Sequence, residues 1–159
     1  MGPEKEGSQP QISLKPIGWV RSGIKERKWR QWEGVESEIV LNPELAEAAE
    51  GLEDFSHIVV LFWMHQVPAE ARSQTKTHPQ RRQDLPLVGV LATRSPARPN
   101  PIGLAVVRLL ERRGNVLRVK GLDAIDGTPV LDIKPSFPGD AMVQVEVPDW
   151  VAKLRQLSR

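Results

Sequence analysis

Three stretches of this chain hold side chains whose types and spacing suit chemistry. The first is Arg94-Ser95-Pro96-Ala97-Arg98-Pro99-Asn100-Pro101-Ile102-Gly103-Leu104. Pro96, Pro99 and Pro101 each fix φ and forbid a helix, so Arg94, Arg98 and Asn100 are presented on a stiff loop. A stiff loop loses little entropy on binding, and arginine matches a carboxylate or phosphate with two parallel hydrogen bonds. The plain alternative is a rigid connector between strands with incidental charges. The second stretch is Gly121-Leu122-Asp123-Ala124-Ile125-Asp126-Gly127-Thr128, followed by Asp132 and Lys134. Carboxylates grouped in this way can hold ribose hydroxyls, take a proton or bind a metal. No His lies near them in the sequence and Lys134 competes for them, so a metal is not expected. For Asp126 in an Asp-Gly turn, simple turn capping is an equal reading. The third stretch is Trp63-Met64-His65-Gln66 at the end of an apolar run, where His65 and Gln66 can reach a pocket. His57, at the start of the same run, reads as a core or cap histidine.

A basic loop with aromatics completes the set. Lys25, Arg27, Lys28 and Arg30 interleave with Trp29 and Trp32 between Arg21 and Trp32. That mixture suits stacking and backbone contact with unpaired nucleic acid. It suits equally a hydrophobic plug or a subunit interface.

The elements that must position these groups are short. Ile12 to Val20 reads as an irregular first strand, and Glu36 to Leu41 as a second. Asn42 as N-cap, Pro43 at the first helical position and Gly51 as a stop predict an internal helix. Ile58 to Met64 and Leu87 to Ala92 read as buried strands. Residues 67 to 86 read as a long surface loop. Gly103 to Glu111 and Val116 to Gly121 flank Gly114-Asn115 as a hairpin. Val130 to Ile133 and Met142 to Val147 complete about seven strands. Asp149 opens a terminal helix with Trp150, Val151 and Leu154 on one face. Strands do not alternate with helices, so the expected class is mainly β: a small, mostly antiparallel barrel with one internal and one C-terminal helix. Residues 1–11 read as a disordered lead-in and 12–159 as one domain, with no further C-terminal domain.

Composition narrows the function classes. The 159 residues include no Cys, which excludes a disulfide scaffold, a thiolate metal site and a cysteine nucleophile. No apolar run nears the roughly 20 residues of a membrane helix. The amino terminus lacks the apolar core of a signal peptide, so a cytoplasmic protein is the default. GxGxxG, GKS/T and HExxH patterns are absent, which argues against standard dinucleotide, nucleoside-triphosphate and zinc-hydrolase sites. The net charge of +2 hides a segregation. Eight acidic residues and no basic one lie between Glu33 and Asp54, whereas Arg72 to Lys120 holds eleven basic residues against two acidic ones. A basic block on one face is the footprint of a polyanion binder; solvated strand and loop faces are the plain alternative.

Together the segments PIGWVRS, GLEDFSHIVVLFWMHQ, LPLVGVLATRSPARPNPIGLAVVRL and GLDAIDGTPVLDIKP resemble the TrmO family, also called YaeB-like or TsaA-like, from about Ile12 to Trp150. The resemblance implies a β-barrel methyltransferase that uses S-adenosyl-L-methionine. It implies N6-methylation of threonylcarbamoyladenosine, just 3′ of the anticodon of tRNA, by a homodimer. By position it implies cofactor contacts from Arg30, Gln31, His65, Gln66, Arg94, Leu104, Asp123, Ala124, Ile125 and Asp126. The acceptor nitrogen must lose a proton, and Asp126 is the candidate base; it could equally hold the ribose. Arg98, Asn100 and Lys134 are candidates on the substrate side, Arg98 or Lys134 for its carboxylate. Two departures from the family pattern stand out. Ser136 replaces the usual Tyr after Lys-Pro, and Trp29-Arg30-Gln31-Trp32-Glu33-Gly34 keeps Arg-Gln but lacks the flanking prolines. The competing classes are a methyltransferase for another RNA site or a small molecule, and a non-catalytic RNA-binding barrel.

Overall fold

The structure is a computed structural model, and it describes residues 10–26, 31–140 and 145–156. Strands β1 (Gly18–Arg21), β2 (Glu36–Leu41) and β3 (His57–Trp63) are followed by two-residue strands β4 (Lys76–Thr77) and β5 (Val88–Gly89). Then come β6 (Ile102–Arg113), β7 (Val116–Lys120), β8 (Pro129–Pro135) and the helix α1 (Asp149–Gln156). Six strands close a barrel in the order β1-β2-β7-β6-β3-β8, each pair antiparallel, and β4 and β5 form a separate small ribbon. Closure removes the free strand edges that would otherwise invite pairing with other chains.

Alternation with period two builds the interior. Val20 and Ile39 point inward, as do Ile58, Val60 and Phe62 on β3, Val107 on β6, and Leu117 and Val119 on β7. Each such side chain contributes about 1.5–3 kcal/mol by leaving water. Gly103 on β6 faces Phe62; a Cβ there would lie 2.3 Å from the Phe62 ring, so no larger residue fits without moving the ring. The hairpin predicted at Gly114-Asn115 is present, with Arg113 opposite Val116.

The predicted internal helix is replaced by three successive 3-10 turns, Pro43–Leu45, Glu47–Ala49 and Leu52–Asp54. Asn42 does not cap them: its Nδ2 donates to the Pro16 carbonyl at 3.1 Å. Ala49 alone is buried in these turns, too little apolar surface to hold an α-helix down. Glu50 is extended at ψ 133°, and Gly51 then turns the chain at φ +90°, a conformation that favours glycine.

Leu87 to Ala92 is not a buried strand either. Val88–Gly89 is a two-residue strand, Val90–Ala92 a 3-10 turn, and Leu87 and Leu91 are exposed. Val90 alone of this apolar run anchors to the interior. The first strand shortens to Gly18–Arg21, because only there does β2 offer partners. Val145 to Val147 is not a strand, and Met142 to Gln144 lie outside the described residues. The long 67–86 segment is punctuated by 3-10 turns at Ala69–Ser73 and Pro79–Arg81. The terminal helix is present, with Trp150, Val151 and Leu154 half-buried and Ala152 and Lys153 exposed.

Candidate functional site

Antiparallel register decides which loops share an end of the barrel. Arg21 opposite Glu38, Glu36 opposite Lys120, Trp63 opposite Ile102, and Phe62 opposite Val130 set the arrangement. The C-terminal ends of β1, β3 and β7 therefore lie at one end, with the N-terminal ends of β2, β6 and β8. The loops 22–35, 64–101 and 121–128 all emerge there. They carry Gln31, His65, Gln66, Arg94, Arg98, Asn100 and Asp123 to Asp126. Arg30, with Arg27, Lys28 and Trp29, lies outside the described residues.

Hydrogen bonds tie these loops to one another. Asp126 Oδ1 accepts the Ser22 backbone N–H at 2.9 Å, and the Asp126 N–H reaches the Ile24 carbonyl at 2.7 Å. Gly121 N–H meets the Val35 carbonyl at 2.9 Å. Met64 N–H meets the Pro101 carbonyl at 2.7 Å, which fastens the end of β3 to the proline loop. Thr128 Oγ1 donates to Ile125 O at 2.7 Å and closes the 121–128 turn.

Within this frame the 121–128 turn carries Asp123 and the proline loop carries Arg94. Desolvation by its packed neighbours pushes the Asp123 carboxyl above the usual carboxylate value, although the residue keeps an exposed edge, and the Arg94 guanidinium pulls the other way. Ala124 and Ile125 are buried, and the Ile125 carbonyl is taken by Thr128. His65 and Gln66 are exposed just beyond β3.

Arg98 is half-buried, and its Nη2 donates to the carbonyls of Thr93 at 3.1 Å and Val90 at 3.3 Å. It braces the loop. Asn100 is exposed, and its carbonyl accepts the Ile102 N–H at 2.7 Å. Lys134 stands apart from this end, far along β8, paired with Asp132 at 2.8 Å. Leu104 points outward from β6 and is 55% exposed. Ser136, where the family pattern has Tyr, donates its backbone N–H to the His57 carbonyl, and the neighbouring Phe137 ring lies 5.9 Å from that of Phe55.

Sequence reasoning missed two features. Ser22 anchors Asp126 across 104 positions of chain. Arg72 lies over the Trp63 ring, its Cζ 5.2 Å from the centroid. No periodic pattern signals either contact. A cleft of about 330 Å³ also opens between Ser22, Ser37 and Arg118, on the β1–β2–β7 side of the same end.

Charge follows the same axis. The loop 64–101 holds six basic residues against two acidic ones, whereas the loop 42–56 at the opposite end holds five acidic residues and no basic one.

A closed antiparallel barrel that gathers three loops at one end is thus the framework into which the comparisons fit. Residues 26–140 match the family tRNA-methyltransferase O N-terminal domain, and the chain belongs to that family. It is 46% identical over 134 residues to a "Probable S-adenosyl-L-methionine-binding protein" of Methanothermobacter thermautotrophicus, covering 82% of this chain and 93% of that protein. To the tRNA (adenine(37)-N6)-methyltransferase of Escherichia coli it is 44% identical over 97 residues, 58% of this chain and 41% of that one. The crystal structure of TrmO from P. aeruginosa superposes with a TM-score of 0.73 at 36% identity, covering 91% of this chain and 64% of that one. The chain therefore spans nearly the whole archaeal relative but less than two thirds of the two bacterial proteins. Among the described residues, no helix is long and apolar enough to cross a membrane.

Proposed function

We propose that this chain is an S-adenosylmethionine-dependent methyltransferase acting on tRNA, at N6 of a threonylcarbamoyladenosine beside the anticodon. The observation that carries the reading is the convergence of Arg94, Asp123, His65 and Gln66 at one end of a barrel of this family. That donor set fits the methyl donor: a guanidinium for its carboxylate, carboxylates for its ribose hydroxyls, and exposed polar groups for its adenine edge. Gln31 extends the same surface, and Arg30, Ala124, Ile125 and the outward Leu104 are assigned to it by family position. When bound, S-adenosylmethionine supplies a methyl group on a sulfonium, open to in-line attack.

The chain's own contribution is positioning and proton removal. Holding two reactants in attack geometry supplies a large share of a rate enhancement. The acceptor nitrogen is a poor nucleophile and must give up a proton. A base works best when its pKa is lifted toward the working pH. Asp126 was the sequence candidate, but its Oδ1 is engaged with Ser22. Asp123, with its raised pKa and exposed edge, suits proton acceptance better, while Asp126 holds the turn that presents it. On the substrate side Asn100 remains exposed. Arg98 remains assigned to it as a cation whose present partners a ligand would displace, whereas Lys134, far along β8 and paired with Asp132, does not reach this end.

Three further points belong to the reading. Residues 12–159 act as one methyltransferase domain. The protein works in the cytoplasm, with its tRNA. Two copies pair through the outer face of β3 and β6, where Val59 and Val106, and Leu61 and Leu104, form an apolar strip. Leu104 and Val106 are more than half exposed there, an arrangement that suits burial against a second copy.

Calorimetry with S-adenosylmethionine and its demethylated product tests the donor, and the absence of binding to both would remove the enzyme reading. Mass spectrometry of tRNA nucleosides from a deletion strain tests the acceptor: loss of the methylated threonylcarbamoyladenosine is the expected result.

A further inference from the structure

Two of the cations at the site end of the barrel are held by protein partners. Arg98 is held by the carbonyls of Val90 and Thr93. Arg82 is paired with Asp84. Arg94 acts on Asp123 through its charge. Arg72 differs. It sits in the 3-10 turn Ala69–Ser73, six residues after Gln66, and has no carboxylate or carbonyl partner among the described residues.

What holds Arg72 is an aromatic face. Its guanidinium lies over the ring of Trp63, the last residue of β3. A cation–π contact of this kind seats the guanidinium without using its N–H donors. The Nε is buried and makes no hydrogen bond among the described residues, while the residue as a whole is only half-buried. A buried donor without an acceptor is costly, so a small shift of the side chain that uncovers its Nε–Nη2 edge to an arriving anion relieves that cost. That edge is the one that grips a carboxylate or phosphate with two parallel bonds. The location matters as much as the chemistry. Trp63 is two positions before His65, and Met64 is bonded to Pro101 of the proline loop.

We propose that Arg72, seated on Trp63, is a docking point for an anionic group of the acceptor RNA. The inference rests on the tRNA reading above. The anion is either the carboxylate of the modified base or a backbone phosphate beside it; the two share one recognition chemistry.

The test measures binding of two synthetic anticodon stem-loops to the full chain by fluorescence anisotropy, one with the threonylcarbamoyl group on its adenosine and one without. Arg72→Ala should weaken binding about tenfold. Its affinity for S-adenosylmethionine by calorimetry and its melting temperature should stay close to wild type. Arg72→Lys keeps the charge but not the fork or the stack, and should recover little of the loss. Trp63→Leu keeps Arg72 but unseats it, and should give a smaller loss. A loss confined to the modified RNA identifies the carboxylate, and an equal loss on both identifies a phosphate; each upholds the docking point. Wild-type affinity of Arg72→Ala for both RNAs overturns it while leaving the methyltransferase reading intact. A wild-type chain that binds neither RNA overturns both.

Discussion

Asp126 accepts the backbone N–H of Ser22, 104 residues earlier in the chain, at 2.9 Å. This bond ties the 121–128 turn to the loop that leaves β1, and the Asp126 N–H reinforces it through Ile24. Asp126→Asn keeps an oxygen acceptor for Ser22, and Asp126→Ala does not. Urea denaturation should show Asp126→Ala destabilised by about 1–3 kcal/mol, the cost of an orphaned donor, with Asp126→Asn losing less. Methyl transfer should survive in Asp126→Asn. If it vanishes while stability holds, Asp126 itself is the base.

Asp123 makes the opposite trade. Its pKa is raised in the folded state, so the fold prefers the protonated carboxyl. Stability from this group is fully present below the unfolded-state pKa and falls as pH rises through the folded one. Asp123→Asn removes that loss, so its melting temperature at neutral pH should exceed that of wild type. The same variant should lose methyl transfer, and its residual rate should no longer show the acidic limb of the wild-type pH profile.

At the acidic end, Glu53 meets Arg112 through two bonds, at 2.7 and 2.8 Å. The Arg112 hydrogen bonds hold the Glu53 carboxyl down at about 2, from 4.5. A lowered acid pKa contributes stability that is present above the unfolded value and lost as pH falls from 4.5 toward 2. Glu53→Gln should therefore flatten the acid limb of the melting-temperature profile in that window. High salt should reduce the difference, because the pair is open to solvent.

Gly103→Ala drives a methyl group into the Phe62 ring. Overpacking of this kind costs about 1–3 kcal/mol. Phe62→Leu in the same chain should recover part of it. A double-mutant cycle by denaturant titration measures the coupling; strict additivity would show that the ring moves freely aside.

The outer strip of β3 and β6 gives a prediction on assembly. Leu104→Glu places a charge in the middle of the apolar face while leaving the barrel interior untouched. Sedimentation velocity should show a dimer for wild type and a monomer for the variant. A wild-type monomer at micromolar concentration would remove the dimer reading.

Local pattern was enough for part of this molecule. The 114–115 hairpin, the strands near 36–41 and 58–63, the terminal helix and the rigid proline loop all follow from neighbours within a few residues. The barrel class followed from many short strands without alternating helices. Local pattern failed at 42–54, where cap and stop signals predicted a helix. There the Asn42 side chain is used by Pro16 and one buried alanine cannot anchor an α-helix. It failed again at 87–92, where an apolar run lies exposed because only Val90 finds the core.

The residue types suited to ligand binding were legible from the sequence, because arginines on a proline-stiffened loop and clustered carboxylates are local facts. Their roles were not. Antiparallel register alone brings three loops to one end of the barrel and sends the acidic loop to the other. Packing alone spends Arg98 and Lys134 on partners, leaves Arg72 on Trp63 without a carboxylate or carbonyl partner among the described residues, and lifts the Asp123 pKa above that of an ordinary carboxylate. Charge and hydrogen-bonding capacity are written residue by residue, but which of them remain for a ligand is decided by what each side chain meets after the chain has folded.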